Sequence, residues 1–162
     1  MSAVLKPPAP AMRPMTERDV DQVLRIEQSA YPYPWSAGIF RDCLRVGYSC
    51  WILELEDQLL GYGILSSGAG EAHILNLCID PRQQGKGYGL RLLDRLIDLA
   101  RWHHARSIFL EVRPSNQRAI DMYRQRGFEN VGRRPNYYPA ENGREDAIIM
   151  AMKLAPEGVG SE

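Results

Sequence analysis

Three glycines within five residues, Gly85, Gly87 and Gly89, stand between an apolar run ending at Asp80 and a run of helical period beyond them. Backbone with so little side chain can approach a ligand closely, and its successive N–H groups can form an anion-binding nest. The helix that follows offers further unpaired N–H groups and the positive end of its dipole. A strand, such a loop and a helix suit a pyrophosphate and demand a fold that mixes strands with helices. Two nucleotide motifs fail on spacing. A P-loop needs Ser or Thr after Gly-Lys, and Gly87 follows Lys86. A dinucleotide fingerprint counted from Gly85 and Gly87 needs a third glycine where Leu90 stands. Taken alone, the glycines also fit a tight strand–helix connection.

The rest of the 162 residues reads as one domain over 11–154, between tails at 1–10 and 155–162. Thr16-Glu17-Arg18-Asp19 resembles a capping box, and Val20, Val23, Leu24 and Ile26 support a helix to about Ser29. Tyr31-Pro32-Tyr33-Pro34-Trp35 breaks it, because two prolines forbid regular helix and stiffen the loop. Ser36 caps a second helix to about Leu44. Tyr48–Leu55 and Leu59–Leu65 form a hairpin around residues 56–58, and Gly68-Ala69-Gly70 turns into a strand over Ala72–Asp80. A helix follows from about Gly87 to Trp102, then a strand over Ser107–Val112. Ala119, Ile120, Met122 and Tyr123 mark another helix, with Gly127 at its end and Ser115 or Asn116 as its cap. Two strands around Asn142-Gly143 close the chain. The expected order is β-α-α-β-β-β-α-β-α-β-β, a mixed α/β sheet with helices on its faces.

Twenty Lys and Arg balance twenty Asp and Glu, so no overall field draws the chain to nucleic acid or anionic lipid. No apolar run reaches the roughly 20 residues that span a bilayer, and Met1–Pro14 lacks the apolar core of a secretory signal. Cys43, Cys50 and Cys78 form no framework of pairs. A cytoplasmic monomer with no nucleic-acid or membrane contact is expected.

Gln84-x-x-Gly87-x-Gly89, preceded by Asn76-Leu77-Cys78-Ile79-Asp80-Pro81, resembles the Gcn5-related N-acetyltransferase (GNAT) superfamily over roughly residues 11–154. The resemblance implies the GNAT fold: α/β, with a mixed, mostly antiparallel central sheet and helices on both faces. It implies acetyl-CoA as cosubstrate and no metal. Gln84, Gly85, Lys86, Gly87, Tyr88, Gly89 and Leu90 would grip the pyrophosphate, and Leu77, Cys78 and Ile79 would pair with the pantetheine arm as a further strand does. The second half narrows the likeness. Leu110-Glu111-Val112-Arg113-Pro114-Ser115-Asn116, Ala119–Tyr123, Gly127-Phe128, Arg133–Pro139 and Gly143–Met150 are similar to the RimI family of bacterial ribosomal-protein alanine N-acetyltransferases, as is Tyr31–Ser36. The implied partner is the N-terminal peptide of a small-subunit ribosomal protein.

An α-amino group has a pKa of roughly 7.7–8.0, and only its neutral form attacks a thioester. A base must take a proton, the departing thiolate must receive one, and a donor must stabilise the oxyanion. Alternation along Ile108–Arg113 puts Phe109, Glu111 and Arg113 on one face. Glu111 beside Phe109 reads as a carboxylate of raised pKa or one acting through water, and equally as a strand-end acid pairing with Arg113 or Arg133. The resemblance makes it the base. Tyr123 reads either as core or as a proton donor, and the resemblance makes it the acid. Asn116 reads as a cap or as a coenzyme ligand, the ligand reading being preferred because Ser115 can serve as cap.

Tyr31, Tyr33, Trp35, Tyr137 and Tyr138 form two aromatic walls around a peptide end or, alternatively, ordinary loop and strand packing. The resemblance implies a tunnel for an N-terminus. Glu145 and Asp146 are expected to attract a basic peptide. Arg133 and Arg134 read as solvated or as touching ribosomal RNA. His103 and His104 suit a helix end, His73 has no partner at metal-ligand spacing, and no base to activate Cys78 is evident. The coenzyme loop alone fits two rivals: an acetyltransferase of lysine side chains or small amines, and a regulatory module that binds coenzyme A without turnover.

Overall fold

The computed structural model describes residues 7–155. The tail readings at 1–6 and 156–162 lie outside the described residues, and residues 7–10 belong to no strand or helix. Seven strands and four α-helices follow in the expected order: β1 (Ala11–Pro14), α1 (Val20–Ala30), α2 (Ala37–Val46), β2 (Ser49–Leu55), β3 (Gln58–Gly68), β4 (Glu71–Ile79), α3 (Tyr88–Trp102), β5 (Ser107–Val112), α4 (Gln117–Gln125), β6 (Glu129–Ala140) and β7 (Gly143–Lys153). They form one sheet of order β1-β2-β3-β4-β5-β7-β6. Every neighbouring pair is antiparallel except β4 and β5.

Local chemistry accounts for most boundaries. Ser36 Oγ accepts from the Ile39 amide at 3.3 Å and starts α2 as expected. Asp19 accepts the Thr16 amide at 2.8 Å, but its oxygens also take two 2.8 Å bonds from Arg13, so the capping acid ties β1 to the first helix. The β2–β3 turn is tighter than expected: Gln58 already pairs with Leu55, leaving Glu56-Asp57 as the loop. Gly143 likewise pairs with Ala140, so Glu141-Asn142 makes the last turn. Asn116, not Ser115, caps α4, its Oδ1 accepting from the Ala119 amide at 3.3 Å. Ser115 is held elsewhere, by Glu145, through its amide at 2.9 Å and its hydroxyl at 3.1 Å.

Apolar side chains sort to the two faces of the sheet. Val20, Val23 and Phe40 from α1 and α2 cover Ile52, Tyr62, Ile64 and Cys78. Leu93, Leu96 and Ile97 from α3, with Ile120 and Tyr123 from α4, cover Leu65, Ile74, Ile108, Leu110, Ile148 and Met150. One irregularity matters most. On β4, Ile74 pairs with Leu65 and Asn76 with Ile64, leaving Leu75 as an extra residue in a bulge. Such a bulge bends its strand. The parallel pairing of β4 with β5 covers only Glu71–Ser107 to Ile74–Leu110, and ends at that point. From there the strands part and the sheet opens.

Candidate active site

The opening is lined in two connected parts that share Tyr31, Leu77, Asn116, Ala119 and Met122. The larger, of about 600 Å³, lies between the far half of β4, the glycine loop and α4. Leu77, Cys78, Ile79, Gln84, Gly85, Gly87, Tyr88, Gly89, Leu90 and Asn116 all line it. Lys86 does not: its Nζ turns to Gln83 Oε1 at 2.9 Å. The Leu77 carbonyl accepts from the Tyr31 hydroxyl at 3.2 Å, which places the polar edge of Leu77 on the side facing the gap.

The loop is built to receive an anion. Gly85 and Gly87 have φ of +83° and +82°, a conformation that favours glycine, and a Cβ on Gly87 would meet nothing within 4 Å. Gly87 heads α3 with no side-chain cap, and the first bond of the helix runs from the Arg91 amide to the Gly87 carbonyl. Among the described residues, no protein acceptor takes the amides of residues 87–90. Consecutive unpaired donors of this kind are what a pyrophosphate needs. Asp80 fixes the approach to the loop, accepting the Arg82 amide at 3.0 Å, and the Arg82 guanidinium holds its carboxyl below the usual range. Arg118, which the sequence reading passed over, lines the same cavity and donates to Gln84 Oε1 at 2.9 Å. Its only signal in the sequence is a basic residue in the first turn of α4.

The smaller part, of about 380 Å³, is bounded by Tyr31, Tyr33 and Trp35 on one side and by Tyr138 and Pro139 on the other, with Glu111, Arg113 and Tyr123 between. Trp35 serves the core as well, its ring lying 5.3 Å from Phe40. Tyr137 is a correction: it is 45% exposed, stands edge-on to Tyr138 and lines neither part. The two rings touch, with centroids 4.9 Å apart, and of the pair Tyr138 alone lines the cleft. Their placing follows from β6, where residues 135–137 bulge between the pairs Arg134–Ala147 and Tyr138–Glu145. Arg113 joins the walls, its guanidinium 5.7 Å from the Tyr33 ring and 4.4 Å from Tyr138, anchored on Glu145 at 3.1 Å.

Glu111 departs from its expected environment. Its pairing partners are His73, whose Nε2 lies 3.2 and 3.4 Å from the two carboxylate oxygens, and Arg134, whose Nε is 3.3 Å from Oε1. Arg113 and Arg133 are committed to Glu145 and Asp146. The His73 hydrogen bond, assisted by Arg134, outweighs burial and draws the Glu111 carboxyl below its ordinary value, so the expected upward shift is reversed. His73, for which the sequence offers no partner at metal-ligand spacing, reaches Glu111 because β4 and β5 run in parallel register here. Glu145 and Asp146 are likewise neutralised by arginines rather than free to attract a peptide.

Tyr123 is buried against Phe128, with ring centroids 5.6 Å apart. Its hydroxyl has no protein partner among the described residues, yet it is not sealed off as an unsatisfied group, so it opens to the cavity. Burial raises its pKa and keeps it protonated. Burial also pushes the Cys78 thiol up to about 11, which leaves little thiolate for nucleophilic attack. Glu27 is a further residue the sequence reading missed. Only 2% exposed, it accepts from Tyr62 Oη at 2.7 Å, Asn76 Nδ2 at 3.0 Å and the Trp35 amide at 2.9 Å, pinning the aromatic loop to β3 and β4.

The family model described as the acetyltransferase (GNAT) family matches residues 20–128. The chain is 36% identical over 137 residues to the ribosomal protein bS18-alanine N-acetyltransferase of Escherichia coli (strain K12), covering 85% of this chain and 93% of that protein. A protein of the same description from Haemophilus influenzae is 36% identical over 137 residues, covering 84% of this chain and 93% of the relative. Among solved structures, the Escherichia coli ribosomal-protein-S18-alanine N-acetyltransferase superposes with a TM-score of 0.84 at 34% identity, covering 94% of this chain and 100% of that one. Ard1 of Thermoplasma volcanium superposes with a TM-score of 0.83 at 26% identity, covering 91% and 99%.

Proposed function

The chain belongs to the acetyltransferase (GNAT) family, and we propose that its acetyl acceptor is the α-amino group of the N-terminal alanine of ribosomal protein bS18. The observation that carries this reading is the continuity of the two cavities. A cleft walled by aromatic residues from the 31–35 loop and β6, and lined by Glu111 and Tyr123, meets the coenzyme cleft at Tyr31, Leu77, Asn116, Ala119 and Met122. The printed names of relatives at 36% identity point to the same acceptor.

Bound acetyl-CoA supplies the thioester as acetyl donor. The unpaired amides of residues 87–90 and Arg118 would hold its pyrophosphate, and the edge of β4 at Leu77, whose carbonyl already accepts from Tyr31, would pair with its amide-bearing arm. The amine must arrive neutral, since Glu111, with a lowered pKa, is too weak a base to deprotonate much of a free ammonium. Once the nitrogen bonds to carbon it becomes strongly acidic, and Glu111 then takes its proton, directly or through a water. Tyr123 keeps its proton and donates a hydrogen bond to the departing sulfur as charge develops there, and the thiolate then takes its proton from water, balancing the one passed to Glu111. Transfer is direct, without an acetylated Cys78. Among the described residues no helix is long and apolar enough to cross a membrane, and Arg133 and Arg134 are engaged in ion pairs with Asp146 and Glu111.

Mass spectrometry after mixing the protein, acetyl-CoA and a peptide that begins with alanine and carries an internal lysine tests the reading. One acetyl group on the α-amine is the expected product. Acetyl on lysine alone, or faster turnover of a free polyamine, replaces the acceptor, and coenzyme binding without any transfer replaces the activity. The loop has its own test. Gly87→Ala is expected to weaken acetyl-CoA binding about tenfold or more, because a hydrogen bond to a charged group contributes about 1.5–3 kcal/mol. Calorimetric titration of wild type and variant checks this. The same substitution costs about 1–2 kcal/mol in stability through its left-handed backbone.

A further inference from the structure

We propose that His73 is a positioning residue that gates Glu111: a proton on its imidazole withholds the carboxylate from the amine, and loss of that proton releases it. The inference rests on the reading of Glu111 as the group that receives the amine proton. His73 pairs in register with Phe109, which puts its ring on the face that carries Glu111 two residues further along β5. Nε2 stands 3.2 and 3.4 Å from the two oxygens of Glu111. Facing an anion, Nε2 must carry hydrogen, so Nδ1 is the atom that gains or loses the second proton. The His73 side chain is 36% exposed, and bulk water can supply that proton.

The surrounding charges decide what it does. Arg134 reaches Glu111 from β6 and opposes a charge on His73, whereas Glu111 and Glu71 favour one, and the balance raises the His73 pKa from its ordinary 6.5. Tyr138 also faces Glu111 but stays uncharged, its own pKa pushed up. With His73 protonated, Glu111 lies between two cations and gives up its lone pairs poorly. With His73 neutral, Arg134 alone faces it and the carboxylate is the better base. A merely structural histidine would hold Glu111 in place without tying activity to its own proton.

The test is the pH dependence of kcat/KM with an alanine-starting peptide, which counts the protons that free enzyme and free substrate must lose. The amine accounts for one. In wild type, log kcat/KM is expected to rise with a slope approaching two below about pH 6, since both the amine and the imidazole titrate above that value. His73→Gln keeps a donor towards Glu111 but cannot titrate, and its slope is expected to be one. The variant-to-wild-type ratio then grows about tenfold for each unit of falling pH. A wild-type slope of one, or a slope of two that persists in the variant, overturns the gate. The wild-type slope decides even if the variant does not fold. Absence of α-amine product at every pH overturns the proposed acceptor, and the gate with it, whereas product with a slope of one overturns the gate alone.

Discussion

Glu111→Gln is expected to lower kcat for α-amine acetylation by about 10²- to 10⁴-fold, the usual contribution of a positioned proton-transfer group. The amide matches the carboxylate in shape, and its one oxygen, at the Oε1 position, can accept from Arg134 at 3.3 Å and from His73 at 3.4 Å, so the walls of the cleft stay where they are. What it loses is the anionic lone pair that takes the proton. Glu111 does not line the coenzyme cleft, so acetyl-CoA should bind the variant as it binds wild type. Tyr123→Phe is the companion measurement. Its ring can keep the packing against Phe128 while the hydroxyl is lost, and a smaller fall in kcat is expected because a hydrogen bond to sulfur is removed rather than a base. Single-turnover kinetics with coenzyme binding measured alongside separates the two effects. Wild-type turnover in both variants would remove these residues from the mechanism.

The largest stability effect is expected at Gly61, on β3 behind the cleft-lining residues Cys78 and Ile79. A Cβ there would lie 2.5 Å from the carbonyl oxygen of Cys78 and 2.5 Å from Cδ1 of Ile79, with the Ile79 Cα only 3.2 Å away. Two of these three atoms cannot swing aside without moving a side-chain stem or the backbone of β4. Gly61→Val therefore forces β3 from β4 beside the cleft and should cost at least about 3 kcal/mol, the upper end for overpacking. At about 2–4 °C per kcal/mol for a chain of this size, the melting midpoint falls by roughly 6–12 °C. Gly68→Ala is the control, because nothing lies within 4 Å of its Cβ position and its φ is not left-handed. A Gly61→Val midpoint within a degree or two of that control would show that β3 yields without cost.

What the sequence revealed depended on how local each cause was. Ser107–Val112 was readable to the residue because its alternation is strict, and the start of α3 and the end of α4 because glycines mark them, whereas the cap of α4 reads as Ser115 in the sequence and is Asn116. The coenzyme loop was readable for the same reason. The bulge at Leu75 was not, since the extra residue carries neither glycine nor proline and is defined only by its partners on β3. His73 and Glu111 lie 38 residues apart and meet only through the parallel register, so each looked unpaired or paired with the wrong arginine. Tyr137 and Tyr138 looked alike in sequence, and only the β6 bulge, which leaves Tyr137 unpaired and returns Tyr138 to register with Glu145, separates them. Glu27 looked like any polar residue in a helix until its three donors, from as far away as Asn76, came together around it.

The parting of β4 from β5 also divides the molecule into two leaves. Strands β1 to β4 lie on one side and β5, β7 and β6 on the other, and the backbone ladder between them is four register pairs long. Cooperativity of unfolding must therefore pass between the leaves mainly through side chains, in the cluster where Leu65 and Ile74 meet Leu110 and Met150. A coenzyme lying in the gap, paired with Leu77 on one rim and touching α4 on the other, would staple the leaves together. Its binding free energy then adds to the stability of the whole sheet by mass action.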